Sequence, residues 1–130
     1  MDSGYTTGLQ HIGIPTNCLD ASIQFYLGLG FEPIFKTDSV IFMKLYGLLI
    51  ELYESKEVSG KAGAIDHISL NVEDIESVFE QVKSLNVKIL DTEINTLPFF
   101  ENGVRFFTIE GPNAEKIEFN QIIGVGNLTE

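Results

Sequence analysis

The sequence predicts an α+β fold in which two tandem βαβββ modules form a curled mixed sheet around a cup, with the helices on the outer face. Three observations predict it: an internal repeat at an offset of 56 residues, an apolar helical stripe in each copy, and β-rich runs after each stripe. A repeat at a fixed offset indicates that one structural unit occurs twice in the chain.

The repeat begins at two histidines, His11 in HIGIPTNCLDASIQFY and His67 in HISLNVEDIESVFEQV. When the copies are aligned on these histidines without a gap, apolar residues match apolar residues at further positions along both copies. The matched pairs are Ile14 with Leu70, Leu19 with Ile75, Ile23 with Phe79, Tyr26 with Val82, Leu29 with Leu85 and Phe31 with Val87. Each copy therefore opens with an alternating strand and continues into a helix.

The helices are predicted by apolar residues at positions i, i+4 and i+7, which lie on one face of a helix. These stripes are Leu19, Ile23 and Tyr26 in the first copy and Ile75, Phe79 and Val82 in the second. Asn17 with Asp20, and Asp74 in the second copy, predict the helix starts because short polar side chains cap helix N-termini. Gly28 and Gly30 predict the end of the first helix.

Short runs rich in β-branched and aromatic residues follow each helix. The predicted strands are Phe31–Lys36, Val40–Tyr46 and Leu48–Tyr53, then Val87–Leu90, Val104–Ile109 and Glu115–Ile122. Turns are predicted at Gly47 and at Gly111-Pro112-Asn113. The chain is interpreted as one domain over residues 1–130, with module 1 at about 7–53, a polar linker at 54–63 and module 2 at about 64–122.

The second module is longer, and its extra residues fall in the connection Asp91–Asn102. This connection contains Leu97, Pro98, Phe99 and Phe100, which is an unusually apolar sequence for a loop. Two interpretations stay open. The loop packs against its own core or a dimer partner, or it forms a wall or lid over a substrate pocket.

Composition and charge limit the function classes. The net charge of −11 has the wrong sign for holding nucleic acid, and the apolar runs are too short to cross a bilayer. The N-terminus lacks the pattern of a secretion signal, and Cys18 is a lone cysteine, so we expect a cytoplasmic protein. The glycosylation motif Asn127-Leu128-Thr129 is therefore discarded. The expected partner is a small-molecule substrate, with no nucleic acid and no membrane.

Four polar residues recur in the order His, Glu, His, Glu: His11, Glu51, His67 and Glu118. Alternation along the strands places all four on the side of the sheet that the helices do not cover. A single strand histidine or glutamate is usually structural or solvated, but equivalent residues in both copies are a stronger signal. Two imidazoles and two carboxylates are suitable ligands for a divalent metal ion. The pattern therefore predicts a metal site.

Several other residues are candidates for substrate contacts. Lys116 shares the face of Glu118, and Arg105, the only arginine, lies on the neighbouring strand. Either one binds a substrate carboxylate or phosphate, or it forms a surface salt bridge. Tyr53 shares the face of Glu51 and lines the pocket or packs in the core. Phe99 and Phe100 are pocket candidates if the long loop covers the site.

Five segments carry a resemblance to a known family: HIGI, FYLGLGF, IELYE, DHISLNV and GPNAEKIEF. From Leu9 to about Ile122 the chain resembles the vicinal oxygen chelate superfamily (glyoxalase/bleomycin resistance/dioxygenase), and within it the glyoxalase I-like, or lactoylglutathione lyase-like, group. The resemblance implies metal ligands at His11, Glu51, His67 and Glu118. It also implies one divalent ion per site (nickel, zinc, cobalt or manganese) and a homodimer whose sites often combine modules of two chains.

The implied activity is that of a lyase in methylglyoxal detoxification. The enzyme isomerises a 2-oxoaldehyde hemithioacetal to a 2-hydroxyacyl thioester through an enediolate, by Lewis-acid catalysis. The resemblance implies Glu118 as the main base and Glu51 as a ligand and second base. Glutathione-using relatives commonly have arginine where this chain has Pro15 and asparagine where it has Ser55. The thiol cosubstrate is therefore left open.

Two alternatives remain. A methylmalonyl-CoA epimerase-like enzyme uses a similar ligand set, although its second ligand is often glutamine, whereas this chain has Glu51. The other alternative is a metal-binding member of the family with an unknown substrate.

Overall fold

A computed structural model describes residues 1, 4–112, 114–126 and 128 of the chain. Within them the elements are β1 (Thr6–Thr16), α1 (Leu19–Gly28), β2 (Glu32–Lys36), β3 (Val40–Leu45), β4 (Leu48–Glu54), β5 (His67–Val72), α2 (Ile75–Lys83), β6 (Lys88–Ile89), β7 (Asn95–Leu97), β8 (Val104–Glu110) and β9 (Lys116–Ile122). The predicted α+β class and the βαβββ order of both modules are confirmed. Asn113 of the predicted turn, and Asn127 and Thr129 of the glycosylation motif, lie outside the described residues.

The chain forms two compact units, His11–Asp66 and Met1–Gln10 with His67–Leu128. Strand β1 contributes to both, so its first residues belong with the second βαβββ module rather than with the first. The physical reason lies in the side chain of Gln10, which is hydrogen-bonded to residues of β5 and β9. The expected module boundaries, at about 7–53 and 64–122, stay a prediction.

The unit His11–Asp66 has the strand order β2-β3-β4-β1. Strands β1 and β4 are parallel and the other pairs are antiparallel, which makes a mixed sheet. The apolar stripe of helix α1 packs against one face of this sheet. The buried core consists of Leu19, Ile23, Phe31, Ile41, Met43, Ile50 and Leu52.

Helix α1 ends at Gly28 as predicted, and Gly30 follows with φ 101°, a left-handed conformation that glycine adopts at little steric cost. Its start differs from the prediction, because the N-cap residue is Cys18 rather than Asn17. The side chain of Thr16 accepts a hydrogen bond from the backbone N–H of Cys18 at 3.1 Å. Asp20 lies in the first turn, where an acidic residue favours the helix dipole.

The unit Met1–Gln10 with His67–Leu128 has the strand order β1-β5-β9-β8-β6, and β7 pairs with β8. Strands β5 and β9 are parallel, and β8 pairs antiparallel with β6, β7 and β9. Helix α2 covers one face. The buried core consists of Val72, Ile75, Val78, Val82, Phe107 and Phe119.

Asp74 caps helix α2 as predicted. Its carboxylate accepts hydrogen bonds from the backbone N–H of Ser77 at 3.2 Å and from the Ser77 hydroxyl at 2.7 Å. The hydroxyl and then the N–H of Ser77 hold the pKa of Asp74 below its ordinary value, because both bonds favour the ionised form.

The connection Asp91–Asn102, expected to lack regular structure, contains strand β7. Asn95, Thr96 and Leu97 pair antiparallel with residues of β8, and the backbone N–H of Thr108 is bonded to Asp91. Phe99 is buried, whereas Phe100 is half-buried with φ 61°. Much of this apolar segment is therefore held by its own unit. In the described part of the chain, every helix is too short or too polar to traverse a lipid bilayer.

Candidate metal centre

His11 and Glu51 form a close pair in the unit His11–Asp66. The parallel register of β1 and β4 sets Gly13 beside Glu51, so His11, two residues before Gly13, shares that face. The distance from His11 Nε2 to Glu51 Oε1 is 3.5 Å, with 1% of the His11 side chain and 12% of the Glu51 side chain exposed. The prediction that these two side chains face away from the helix stripe agrees with this geometry.

Apolar side chains surround this pair. The ring of Phe42 meets the ring of His11 edge-on with their centroids 5.4 Å apart, and Phe35 packs against Phe42 at 6.3 Å. Phe42 is also the cross-strand partner of Glu51, and Leu49 on the same face is fully buried. This wall fixes the plane of the imidazole by packing and keeps water from one side of it.

His67 and Glu118 form the corresponding pair in the other unit. The parallel register of β5 and β9 sets Ser69 beside Glu118, and His67 precedes Ser69 by two residues on the same face. The distance from His67 Nε2 to Glu118 Oε2 is 3.9 Å, and about a tenth of each side chain is exposed. Each unit thus contributes one nitrogen donor and one carboxylate.

Hydrogen bonds hold the carboxylate of Glu118. Its Oε1 accepts one from the hydroxyl of Ser69 at 2.9 Å and one from Asn120 Nδ2 at 2.9 Å. Ser69 and Asn120 are both buried, so these donors act in a low-dielectric environment where such bonds are strong. Oε1 is therefore fixed by two donors, and Oε2 is the oxygen paired with His67.

Gln10 extends this network. Its Nε2 donates to Oδ1 of Asn71 at 3.0 Å and to the backbone oxygen and Oδ1 of Asn120 at 2.9 and 3.1 Å. Asn71 Nδ2 in turn donates to the hydroxyl of Thr7 at 2.8 Å. We refer to these hydrogen-bonded side chains as the carboxylate network; they are Thr7, Asn71, Gln10, Asn120, Ser69 and Glu118.

Part of the carboxylate network is predictable from the alternation of residues along the strands. Ser69, Asn71 and Asn120 share the alternation of His67 and Glu118, which predicts that they lie on the same face. Gln10 was missed, because alternation assigns it to the side of Ile12. Gln10 and His11 are consecutive and both buried, which strict alternation on a half-buried strand does not predict. The sequence signal for this role was that Gln10, a polar residue, directly precedes His11.

Comparison with known proteins identifies the family. Residues 8–119 match the model of the Glyoxalase/Bleomycin resistance protein/Dioxygenase superfamily. The chain belongs to this superfamily. It is 36% identical over 126 residues to the uncharacterized protein YwbC of Bacillus subtilis (strain 168), which covers 87% of this chain and 96% of that protein.

Solved structures agree on the fold of this superfamily member. Methylmalonyl-CoA epimerase from Mycobacterium tuberculosis superposes with a TM-score of 0.74 at 20% identity, covering 93% of this chain and 91% of the epimerase. A Mn(II)-bound glyoxalase from Novosphingobium aromaticivorans superposes with a TM-score of 0.67 at 20% identity, covering 90% of this chain and 39% of that one. The predicted superfamily is confirmed, and the glyoxalase I-like group stays a prediction.

The two basic substrate candidates have acidic neighbours. Arg105 Nη2 lies 2.9 Å from Glu76 Oε1 on helix α2, and both side chains reach solvent. Exposed ion pairs of this kind contribute little to stability. Lys116 is exposed and stands in register with His67 on one side and Glu110 on the other.

The aromatic candidates lie in different units. Tyr53 is half-buried on β4, in register with Val40 and Pro15. Phe99 and Phe100 follow β7 in the other unit, where the first is buried and the second half-buried. Their contribution to substrate binding stays a prediction.

Proposed function

We propose that His11, Glu51, His67 and Glu118 hold one divalent metal ion. The observation that carries the proposal is the pair in each unit, an imidazole Nε2 within 4 Å of a carboxylate oxygen with both side chains mostly buried. A mostly buried carboxylate and imidazole are costly to desolvate, and a cation offsets that cost. His11, His67 and Glu118 qualify as a group of residues that suits a metal ion.

The chemistry of the donors fits this ion. Two neutral imidazoles and two carboxylates balance a charge of +2, and mixed nitrogen and oxygen donors suit nickel, zinc, cobalt and manganese. An ion held by these four residues would also accept oxygen atoms of a substrate as ligands. One structural relative, the glyoxalase from Novosphingobium aromaticivorans, is Mn(II)-bound, which supports a divalent ion at this site.

The proposed reaction is the isomerisation of a 2-oxoaldehyde hemithioacetal to a 2-hydroxyacyl thioester. A divalent ion at this site supplies Lewis-acid polarisation of the substrate carbonyl. The carboxylate of Glu118 removes the proton from the hydroxyl-bearing carbon and returns it to the adjacent carbon, and the hydroxyl proton passes to the former carbonyl oxygen, so that atoms and charge balance. Glu51 serves as a ligand and as a second base on the opposite side.

Epimerisation of a methylmalonyl-CoA-like thioester is the second candidate. The observation that favours it is the structural likeness to methylmalonyl-CoA epimerase, with a TM-score of 0.74. Epimerisation removes a proton from one face of a carbon and returns it to the other, and two carboxylates, Glu51 and Glu118, are available for the two faces. Both reactions need the same donors, so the product decides between them.

The test begins with metal analysis of the purified protein and of protein stripped with a chelator. Stripped protein is then loaded with nickel, cobalt, zinc or manganese and assayed with methylglyoxal plus several thiols, and separately with methylmalonyl-CoA. We expect about one ion per chain and thioester formation. Activity on methylmalonyl-CoA alone would favour the second candidate, and protein that binds none of the four ions would refute both. Size-exclusion chromatography with light scattering tests the proposed homodimer.

A further inference from the structure

We propose that Ser69, Asn120 and Gln10 are positioning residues. They hold Glu118 by Oε1 and direct Oε2 toward His67, which fixes the carboxylate for ligation and proton transfer. This inference rests on the proposed function of Glu118 and assigns a role to three residues outside the ligand set.

The direction of the carboxylate network follows from the chemistry of its last member. An ionised carboxylate only accepts hydrogen bonds, so Asn120 must present its Nδ2 to Glu118 Oε1. The Oδ1 of Asn120 then faces Gln10 and needs a donor, which Gln10 supplies through Nε2. The orientation of each amide is therefore determined by the next one, and the chain runs from Gln10 through Asn120 to Glu118.

The other branch holds Gln10 in this orientation. Gln10 Nε2 also donates to Asn71 Oδ1, which leaves Asn71 Nδ2 to donate to Thr7. Reversal of the Gln10 amide would place an oxygen against the carbonyl oxygens of both asparagines. That arrangement is disfavoured, so one orientation of the network is strongly preferred.

The side chains of the carboxylate network are buried, and burying polar groups costs free energy that apolar side chains at the same positions would not. Gln10, Ser69, Asn71 and Asn120 are each at most 5% exposed. Buried polar side chains must satisfy their hydrogen bonds, whereas apolar residues at the same strand positions would fill the space without that requirement. Ser69 and Asn120 both donate hydrogen bonds to the same oxygen of Glu118, Oε1. The arrangement therefore specifies the position of one carboxylate.

The test uses cobalt(II) as a probe in the full-length protein. We compare Ser69→Ala, Asn120→Leu and Gln10→Met with the wild type, and add Ser69→Thr, which keeps the hydroxyl. The matched control is Ser22→Ala, because Ser22 also makes a short side-chain hydrogen bond, 2.7 Å to Thr16, in the other unit. The readouts are the visible spectrum of bound cobalt, the cobalt dissociation constant, kcat and KM, and the thermal unfolding temperature.

We expect Ser69→Ala and Asn120→Leu to weaken cobalt binding or to lower kcat by roughly 10- to 100-fold, the usual range for groups that orient a metal ligand. The cobalt spectrum should shift and KM should change little, because substrate contacts remain. Gln10→Met should have a smaller effect in the same direction, and Ser69→Thr should restore the wild-type values. Ser22→Ala should leave the spectrum and kcat unchanged.

The outcomes separate this inference from the proposed function. If the wild type binds cobalt and catalyses a reaction but the variants change only the unfolding temperature, the positioning role is wrong and the metal site stands. If the wild type binds none of nickel, cobalt, zinc and manganese, both are wrong. Should Asn120→Leu fail to fold, Ser69→Ala and Gln10→Met still decide, because the first removes a donor to Glu118 and the second removes the amide that donates to Asn120.

Discussion

The two His–Glu pairs occupy equivalent positions of an internal repeat, yet their surroundings differ. The pair of His11 and Glu51 lies against Phe42 and Leu49, two apolar side chains with almost no exposure. The pair of His67 and Glu118 lies in a network of buried hydroxyl and amide groups. The repeat keeps the donor types and changes what holds them.

This difference indicates unequal roles for the two carboxylates. Two hydrogen bonds fix Glu118 by one oxygen, which suits a group that must meet a substrate proton in a defined geometry. Packing against aromatic rings fixes the plane of His11 and lowers the polarity around Glu51, which suits a ligand pair. This difference supports the proposal that Glu118 is the main base.

The largest expected effect separates the two glutamates. Glu118→Gln should lower kcat by roughly 10²- to 10⁴-fold, the range for loss of a general base. Glu51→Gln should act mainly on metal affinity, with a smaller loss of kcat in protein saturated with metal. Glu76→Gln, an exposed glutamate paired with Arg105, is the control. Equal losses of kcat for Glu118→Gln and Glu51→Gln would remove the distinction between the pairs.

Metal stoichiometry tests whether the pairs share one ion. His11→Asn and His67→Asn should each reduce bound metal from about one ion per chain to near zero, because one shared centre loses an essential donor in both cases. Inductively coupled plasma mass spectrometry of dialysed protein gives the ratio. If each pair held its own ion, the wild type would contain about two ions per chain and each variant would retain half of them.

The apolar wall predicts a stability effect specific to the first pair. Phe42→Ala should lower the free energy of unfolding by about 3–5 kcal/mol, because it leaves a cavity beside His11 and removes buried apolar area. Phe25, which is mostly exposed, is the matched control, and Phe25→Ala should change stability by less than about 0.5 kcal/mol. Urea denaturation measures both, and a small loss for Phe42→Ala would mean that the wall does not support His11.

Removing the metal should lower the free energy of unfolding, because an ion that binds only the folded chain stabilises it. An ion present at 100 times its dissociation constant stabilises the folded state by about 2.7 kcal/mol, provided that it binds only the folded chain. Chelated protein should therefore unfold at a lower temperature, and added metal should restore it in proportion to the logarithm of its concentration. Unfolding that is insensitive to metal would contradict a site built from the folded strands.

The smallest expected effect concerns the cap of helix α2. The pKa of Asp74 is lowered by Ser77, so the cap stabilises the fold above the unfolded pKa of the group and loses its effect as the pH falls through the folded pKa. Asp74→Ala should lower the unfolding temperature slightly at neutral pH, and the difference should vanish at strongly acidic pH. Asp20→Ala in helix α1 is the comparison. A difference that persists in acid would exclude an ionised cap.

Much of the fold was accessible from the sequence, because its signals are periodic. The helix stripes, the alternation that sets His11 and Glu51 opposite Ile50 and Leu52, and the Asp74 cap are local patterns. Strand β7 was missed since Asn95–Leu97 is short and its pairing with β8 depends on the tertiary fold. The Cys18 N-cap was missed because its side chain makes no cap hydrogen bond, and its backbone N–H donates to the hydroxyl of Thr16, two residues earlier.

The sequence predicts the four candidate metal ligands, but it does not predict the hydrogen bonds that hold them in place. Alternation sorts residues by face, which was sufficient for His67, Ser69 and Glu118. It does not reveal which polar side chains contact one another across 61 or 110 residues of sequence, as Gln10 does with Asn71 and Asn120. Ile68 shows the same limit, because its alternation predicts packing and yet it is substantially exposed.

The bond between Gln10 and Asn120 has a consequence for the order of events during synthesis. It joins residues 110 positions apart, so one of the first strands to leave the ribosome must wait for the last. Until β9 emerges, the amide of Gln10 and the start of β1 lack their final partners and need protection from premature pairing. Contacts of such long range slow folding, and we expect this unit to complete its fold only after β9 has left the ribosome.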